Sequence, residues 1–382
     1  MNGGLGVKIA IPRETVAGET RVAATPESIK KFKGLGIDLV VESGAGAAAR
    51  IADSDYIAAG ATIAPDAKSA LSDADIVLKV RGPSAAETAL LKKGAVVAAL
   101  LAPHTEKPAI ATLAGQGAIA FAMEFLPRIS RAQSMDVLSS QANLAGYKAV
   151  IDAAAHFGRA MPMMMTAAGT IAPARVLVMG VGVAGLQAIA TAKRLGAIVS
   201  ATDVRPATKE QVESLGGTFV AVMDEEFKNA QTAGGYAKEM SPEYQAKQAA
   251  LIAETIKKQD IIITTALIPG RKAPVLVSEE MIKTMKPGSI IVDLAAEAGG
   301  NTPLTKAGEV VEVHGVTIMG HTNLPGRLAV DASALYARNL FNFVSLFIDK
   351  KTGQLAIDWD DEIVKGALVA KDGEIVHRAL KS

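Results

Sequence analysis

A chain of 382 residues is long enough for about two domains, each with its own core. Its formal net charge of +1 argues against nucleic-acid binding by bulk electrostatics, and the lack of cysteine excludes disulfides, thiolate catalysis and cysteine metal sites. Mean hydropathy is +0.26, yet no apolar run approaches the roughly 20 residues of a membrane-spanning helix, and the first residues do not resemble a signal peptide. We expect a soluble, cytoplasmic protein with no nucleic-acid partner and no direct membrane insertion.

The first third of the chain alternates between predicted strands and helices. The pattern predicts a strand (7–11), a helix (26–35), a strand (38–41), a glycine-rich loop (44–46), a short helix (53–59) and strands at 75–79, 95–101 and 118–122. Strands that alternate with helices are typical of a parallel, doubly wound sheet.

A polar segment, 127–141, follows the last of these strands. Its Arg, Gln, Asp and Ser side chains could hold a carboxamide and a ribose, but it contains no good proton-transfer group at neutral pH. The simpler interpretation is a capped helix start with Ser134 or Asp136 as the N-cap, and composition alone favours it. A helix is predicted over 139–160, and the segment 161–186 is interpreted as loop plus buried strand.

The most informative motif is Gly180-Val181-Gly182-Val183-Ala184-Gly185, because its flanks complete a βαβ dinucleotide unit. An apolar strand (174–179) precedes it, and a helix (186–195) ending at Gly196 follows. A second strand (197–202) then leads to Asp203.

The glycines of this motif have separate roles. Gly180 permits the tight turn, Gly182 lets backbone N–H groups approach a pyrophosphate at the helix N-terminus, and Gly185 allows close helix–strand packing. Asp203 would accept hydrogen bonds from ribose hydroxyls and repel a 2′-phosphate. Arg205 could reach a 2′-phosphate, but Asp203 holds the strand end, so the unit predicts NAD(H) rather than NADP(H). The alternative is a glycine-rich turn beside a solvated acid.

The remainder of the chain continues the pattern, with strands predicted at 260–264, 289–294 and 316–319. The segment 233–237, where paired glycines precede Tyr236, interrupts the alternation and is either a lid or an ordinary surface insertion. Apolar residues at helical spacing in 339–347 predict a helix, whose stripe we interpret as interdomain core. With the alanine-rich helix at 144–155, it also suggests a twofold homodimer.

The dinucleotide unit starts in mid-chain, so we expect it to be an insertion. The predicted fold is α/β, with two Rossmann-like domains, doubly wound and mainly parallel sheets, and an interdomain cleft suited to nicotinamide chemistry. The first domain is discontinuous (1–138 and 328–382), and the NAD(H)-binding domain covers 139–327.

Several motifs resemble a known superfamily. The segments 13–14 (Arg-Glu) and 19–26 (Glu-Thr-Arg-Val-Ala-Ala-Thr-Pro) resemble the N-terminal motif of the alanine dehydrogenases and nicotinamide nucleotide transhydrogenases. The segments 127–136, 163–170, 234–239 and 264–270 resemble the transhydrogenase branch. The resemblance covers nearly the whole chain and is to the NAD(H)-binding component, domain I, of the proton-translocating transhydrogenases in its separate α1-type form.

This resemblance implies an enzyme component that passes hydride directly from NADH to NADP⁺ on a partner domain, coupled to proton translocation. The implied partners are the NADP(H)-binding domain III, the membrane domain II and a second copy in a homodimer. The implied location is the cytoplasmic side of the inner membrane, peripheral and held by partner subunits.

The resemblance also implies site residues, none of them a metal ligand. A nicotinamide-side loop supplies the catalytic set, in which Gln133 reaches toward the second nucleotide: Arg128, Gln133, Asp136 and Ser139. Tyr236 belongs to a mobile loop that closes over NAD(H). Cofactor binding is assigned to Gly180, Val181, Gly182, Val183, Ala184, Gly185, Asp203, Val204, Arg205, Gly235, Tyr236, Thr265, Ala266 and Leu267.

Departures from alanine dehydrogenase separate the two branches. Arg21 and Lys79 match that family's substrate-binding cations, but its catalytic histidine aligns with Ala102 and its aspartate with Glu297. Without the imidazole, proton exchange with an amino or keto group has no agent, whereas hydride transfer between two nicotinamides needs none. An amino-acid dehydrogenase and a non-catalytic NAD-binding regulator are the alternatives.

Overall fold

The computed structural model describes residues 6–228, 240–349 and 351–381. The chain divides into two compact units, the first formed by 1–141 with 325–382 and the second by 142–324. The domain boundaries predicted from the sequence lie within three residues of this division. That each unit is a domain able to fold by itself remains a prediction.

Most strands are short and buried, as expected for α/β sheets. The strands of the described residues are β1 (Lys8–Ile11), β2 (Asp38–Glu42), β3 (Thr62–Ala64), β4 (Ile76–Arg81), β5 (Val96–Leu100), β6 (Ile119–Ala122), β7 (Met164–Thr166), β8 (Gly169–Ile171), β9 (Arg175–Met179), β10 (Ile198–Thr202), β11 (Thr218–Phe219), β12 (Ile261–Thr264), β13 (Ile290–Asp293), β14 (Val310–Val313), β15 (Val316–Met319), β16 (Leu368–Lys371) and β17 (Glu374–Ile375).

Over much of the chain, the helices alternate with the strands. Those of the described residues are α1 (Pro26–Gly34), α2 (Asp53–Ala58), α3 (Ala67–Leu71), α4 (Ala85–Thr88), α5 (Lys107–Gly115), α6 (Val137–His156), α7 (Val183–Arg194), α8 (Thr208–Ser214), α9 (Glu225–Lys228), α10 (Pro242–Ile256), α11 (Glu279–Lys283), α12 (Ala329–Val344) and α13 (Glu362–Ala367). Within these described helices, none has the length and apolar character needed to cross a bilayer.

The first unit is built on an eight-stranded sheet in the order β17-β16-β6-β5-β4-β1-β2-β3. Its strands are parallel from β3 to β6, while β16 and β17 add antiparallel pairs at one edge. The second unit has a seven-stranded sheet in the order β11-β10-β9-β12-β13-β15-β14, parallel except for β14. The α/β, Rossmann-like fold class expected from the sequence is confirmed.

Both sheets are buried on two faces. In β4, Leu78 packs into one apolar cluster and the neighbouring Val77 into another, on the opposite face. In β12, Ile263 and Ile262 alternate in the same way. Continuous apolar runs, rather than alternating ones, are what such doubly covered strands require.

The apolar stripe of α12 lies in the core of the first unit, so the interdomain interpretation is wrong. Leu340, Phe343, Val344 and Phe347 are fully buried in the cluster that covers one face of the eight-stranded sheet. Phe121 of β6 packs against the rings of Phe343 and Phe347 at 5.4 and 4.9 Å. These four side chains therefore provide no surface for a dimer, because the sheet already covers them.

The segment 161–186 also differs from its prediction. Before the buried strand β9, it forms a separate hairpin, β7 and β8, paired Met164 to Ile171. The side chains of the hairpin are exposed, Met165 by 78%. The short strands β3, β11, β14, β16 and β17 were also not predicted.

Candidate functional site

The carboxyl edge of the second sheet gathers three predicted cofactor segments. Met179, at the end of β9, pairs with Thr202 of β10 and with Thr264 of β12. The residues that follow these positions, Gly180, Asp203 and Thr265, therefore leave the sheet at one level. In open α/β sheets, ligands bind at this edge.

The glycine turn leaves no space for side chains at its first and third glycines. Gly180 has φ +101°, and a Cβ there would lie 2.4 Å from the Thr265 hydroxyl. A Cβ on Gly185 would lie 1.9 Å from the Gly180 carbonyl oxygen, so the helix starts directly against the turn.

Gly182 differs, because a Cβ there would meet nothing within 4 Å. It is the N-cap of α7, which begins at Val183 rather than at the predicted residue 186 and has no side-chain cap. An open approach to uncapped backbone N–H groups fits the pyrophosphate of a dinucleotide.

Asp203 is paired with Arg205 at this edge. Its carboxylate accepts hydrogen bonds from the Arg205 Nε and Nη2 atoms at 2.9 Å each, from the Arg205 backbone at 2.9 Å and from Val181 N–H at 2.7 Å. Burial alone would raise the pKa of Asp203, but the hydrogen bonds from Arg205 and Val181 outweigh it and leave the pKa lowered. The carboxylate is therefore held ionised beside the glycine turn, while the neighbouring Val204 is exposed.

Asn301 holds the third segment, 265–267, and was not identified from the sequence. Its side-chain oxygen accepts from Ala266 N–H at 3.1 Å, and its Nδ2 donates to the carbonyls of Ala266 and Pro274 at 2.9 and 2.8 Å. Thr265 donates through its hydroxyl to the Gly180 carbonyl at 3.0 Å. The segment is thus fixed against the glycine turn, with Leu267 exposed beyond it. The signal available in the sequence was a polar residue following Gly299-Gly300 after β13.

The predicted catalytic loop lies in the first unit. Asp136 is the N-cap of α6, with its carboxylate accepting from Ser139 N–H at 2.9 Å and Ser139 Oγ at 2.5 Å. The capping interpretation of Asp136 therefore describes its geometry, and two of the four predicted residues are bonded to each other. Arg128 and Gln133 are exposed, and their side chains form no hydrogen bond with another described residue.

Gly235 and Tyr236 lie outside the described residues. The remaining cofactor residues named from the sequence, including Val183 and Ala184 in the first turn of α7, lie at the carboxyl edge of the second sheet. Among the described residues, no cluster of acidic, histidine or cysteine side chains could hold a metal ion.

The two cations that match alanine dehydrogenase are buried and already paired. Arg21 donates to the Glu19 carboxylate at 2.8 and 2.7 Å and to the Gln141 side chain at 2.9 Å. Lys79, only 1% exposed, donates to Glu87 at 2.8 Å. Each cation therefore has a carboxylate partner from within the chain.

Ala102 has a backbone conformation unusual for alanine. Its φ of +47° is in the left-handed region, and its N–H donates to the Glu124 carboxylate at 2.7 Å. Burial raises the pKa of Glu124. Ala102 itself is exposed, and its methyl group can neither donate nor accept a proton.

Comparisons with known proteins agree with this arrangement. The model of the alanine dehydrogenase/PNT N-terminal domain matches residues 10–145, and that of the C-terminal domain matches 149–378. A Rhodospirillum rubrum protein, named as the first part of the NAD(P) transhydrogenase α subunit, is 60% identical, over 98% of this chain and 99% of its own. The solved structure of a transhydrogenase from Sinorhizobium meliloti has a TM-score of 0.89 at 55% identity, over 97% of this chain and 100% of that one. An alanine dehydrogenase from Halomonas elongata is 31% identical, over 98% and 96%.

The parallel sheet, glycine turn and strand-end carboxylate define a Rossmann-type, dinucleotide-binding protein. With matches to both domain models and 60% identity over nearly its whole length, the chain belongs to the alanine dehydrogenase/PNT family, in its branch of NAD(P) transhydrogenase α subunits. Membership of this family implies that the chain binds a nicotinamide nucleotide.

Proposed function

We propose that this chain is the NAD(H)-binding component of a proton-translocating transhydrogenase. The observation that carries the proposal is the dinucleotide-binding edge of the second sheet, together with the alanine at position 102 of the first unit, which by resemblance matches the catalytic histidine of the alanine dehydrogenases. Direct transfer between two nicotinamides requires contact and orientation but no protonation of the substrate. Bound NADH supplies a hydride that converts NADP⁺ on the partner domain to NADPH and leaves NAD⁺.

The preference for NAD(H) over NADP(H) is supported by the pair of Asp203 and Arg205. Because the guanidinium is bound to the carboxylate at two points, its charge is neutralised within the chain. A 2′-phosphate would have to separate this pair and approach the carboxylate. Ribose hydroxyls can instead donate to Asp203 without bringing a negative charge.

We assign nucleotide binding and nicotinamide orientation to different residues of the chain. The first turn of α7 and the segment 265–267 hold the nucleotide, and Gly235 and Tyr236 contribute to its binding. The catalytic loop, with Arg128, Gln133, Asp136 and Ser139, orients the dihydronicotinamide and excludes water. No described residue is required to move a proton at the reacting carbon.

Partner subunits complete the cycle. The name of the Rhodospirillum rubrum relative gives it as one portion of an α subunit, which implies a complex of several subunits for that protein. We propose the same for this chain, with NADP(H) on domain III and proton translocation through the membrane domain II. Attachment to the inner membrane would then occur through these partners.

Amino-acid dehydrogenation is the second candidate, because Arg21 and Lys79 are retained. Their engagement with Glu19 and Glu87 and the alanine at position 102 argue against it. A non-catalytic NAD-binding regulator would share the nucleotide edge but transfer no hydride.

One experiment separates the three functions. The chain is mixed with its NADP(H)-binding partner, NADH and thio-NADP⁺, whose reduced form has its own absorbance, and the chain alone is incubated with NAD⁺ and alanine. The proposal requires transfer in the first mixture and no steady NADH production in the second. Turnover with alanine would establish a dehydrogenase, and NADH binding without transfer would establish the regulator.

A further inference from the structure

Two asparagine side chains of α12 form hydrogen bonds with the backbone of the catalytic loop. Asn339 donates through Nδ2 to the Ser134 carbonyl at 2.9 Å, and its Oδ1 accepts from the Ser140 hydroxyl at 2.7 Å. Asn342, one turn later on the same helix, donates to the same Ser134 carbonyl at 3.0 Å. One side chain therefore bridges the residue after Gln133 and the residue after Ser139.

The amide group of Asn339 suits this bridge chemically. It donates to a carbonyl and accepts from a hydroxyl at once, which neither a carboxylate nor an aliphatic side chain can do. Asparagine is a poor helix former, so at a buried position inside α12 it stabilises the protein only if both hydrogen bonds form. Asn339 is 7% exposed, whereas Asn342 is only half-buried.

Ala132, Met135 and Val137 anchor the loop by apolar burial in the core, and its other polar anchors act nearer its ends. Arg131 forms a two-point ion pair with Asp361 at 2.6 and 2.9 Å, but its side chain is half exposed, where such pairs contribute little. Gln141 donates to the Ala332 carbonyl at 3.2 Å, inside α6. Asn339 is thus the buried polar contact that spans the turn and the N-cap at Asp136.

We propose that Asn339 is a positioning residue for hydride transfer, because it fixes the turn on which Gln133, Asp136 and Ser139 stand. This inference rests on the proposed function and extends it to a helix about 200 residues further along the chain. Since Asn339 forms no hydrogen bond with the described residues of the nucleotide edge, its loss changes the orientation of the loop and leaves NADH affinity intact. Small misplacement of reacting atoms costs rate, not binding.

The first test measures transfer and binding together in the assembled transhydrogenase complex. Asn339→Ala and the smaller polar change Asn339→Ser should slow transfer to thio-NADP⁺ about 10-fold, with the Kd for NADH within about twofold of the unmodified value. Arg338→Ala is the matched control, since Arg338 pairs with Glu27 on the exposed side of the same helix and should transfer at the unmodified rate. Unchanged transfer in both Asn339 variants, or a parallel loss of NADH affinity, overturns the inference.

A second measurement does not depend on the proposed function. Amide hydrogen exchange of the segment 130–140 in the isolated chain should be about 10-fold faster in the Asn339 variants and unchanged in Arg338→Ala. If the unmodified complex transfers no hydride, the proposed function fails, and the exchange rates still decide whether Asn339 holds the loop. Unchanged exchange beside normal transfer overturns the inference and leaves the proposed function standing.

Discussion

Arg205 holds the carboxylate of Asp203 at two points, with 2.9 Å from each of two guanidinium nitrogens, while Val181 N–H donates to the same carboxylate at 2.7 Å. The Asp203 side chain is only 6% exposed. The residue that we propose sets the nucleotide preference is thus hydrogen-bonded to the glycine turn. The neighbouring cation, which could otherwise bind a phosphate, is neutralised by the same contact.

Replacing Asp203 should therefore change two affinities in opposite directions. We expect Asp203→Ala to weaken NADH binding about 10-fold, since a charge-assisted hydrogen bond contributes about 1.5 kcal/mol. The released Arg205 should strengthen NADPH binding. Equilibrium dialysis with each nucleotide measures both effects, and the double variant Asp203→Ala/Arg205→Ala should lose the gain for NADPH. Equal binding of NADH and NADPH by the unmodified chain would contradict the NAD(H) assignment.

Substitutions in the catalytic loop should affect the rate of hydride transfer but not the affinity for NADH. We expect Gln133→Ala and Arg128→Ala to leave NADH affinity nearly unchanged and to slow transfer about 10-fold to 100-fold in the complex. Ser130→Ala is a suitable control, because Ser130 is exposed on the same turn. Transfer at the unmodified rate in both variants would show that the loop is only the capped start of α6 and that the catalytic assignment is wrong.

Gly146 of α6 supports the nucleotide edge through close packing. A Cβ there would lie 2.0 Å from the Ala184 carbonyl oxygen in the first turn of α7, so Gly146→Ala must displace backbone. We expect a loss of about 1–3 kcal/mol in stability despite the better helix propensity of alanine, with weaker NADH binding. Urea unfolding and NADH fluorescence titration measure the two effects. Gly158→Ala, where a Cβ meets nothing within 4 Å, should change neither.

The buried pair of Glu19 and Arg21 should make stability depend on pH. Burial alone would raise the pKa of Glu19, but hydrogen bonds and charge from Arg21, with Arg81, lower it from 4.5 to about 2. A lowered carboxyl pKa contributes stability that is complete above pH 4.5 and is lost as the pH falls toward 2. The shift corresponds to about 3 kcal/mol at neutral pH.

Glu19→Gln tests this contribution through urea midpoints measured between about pH 7 and pH 3. The variant should be less stable by about 3 kcal/mol at neutral pH, and the difference from the unmodified chain should shrink as the pH falls below 4.5. A difference that stays constant over this range would show that the loss comes from packing alone.

The expected homodimer now has a different candidate surface. The hairpin of β7 and β8 exposes Met163, Met164, Met165 and Ile171, and the segment 161–174 carries no charged residue. A two-stranded hairpin is at best marginally stable alone in water, so a second copy of the chain would stabilise it by covering these side chains. Sedimentation should give a dimer that Met165→Glu weakens and that Ile57→Glu, at an exposed position of α2, leaves intact. A monomer for the unmodified chain would contradict this.

Sequence reasoning located the dinucleotide unit because its components are contiguous. The strand, glycine turn, helix and following acid occupy about 30 residues, and each requirement is local: an apolar run, missing Cβ atoms, a strand end. The need for glycine at 180 and 185 could be predicted because the atoms that a Cβ would meet are close by. They are the Gly180 carbonyl, within the same βαβ unit, and the Thr265 hydroxyl, just after the adjacent strand. Parallel sheet architecture followed from the alternation of strands and helices.

The contacts that hold the site depend on residues far apart in the chain, and only the tertiary structure brings them together. Asn301 meets Ala266 across 35 positions, and Asn339 meets Ser134 across 205. The hydrogen-bond partner of an asparagine cannot be predicted from the sequence, because its amide can donate to any carbonyl that folding brings near it. The apolar stripe of α12 shows the same limit: its periodicity determines that it is buried, while the packing of β6 against it decides what covers it.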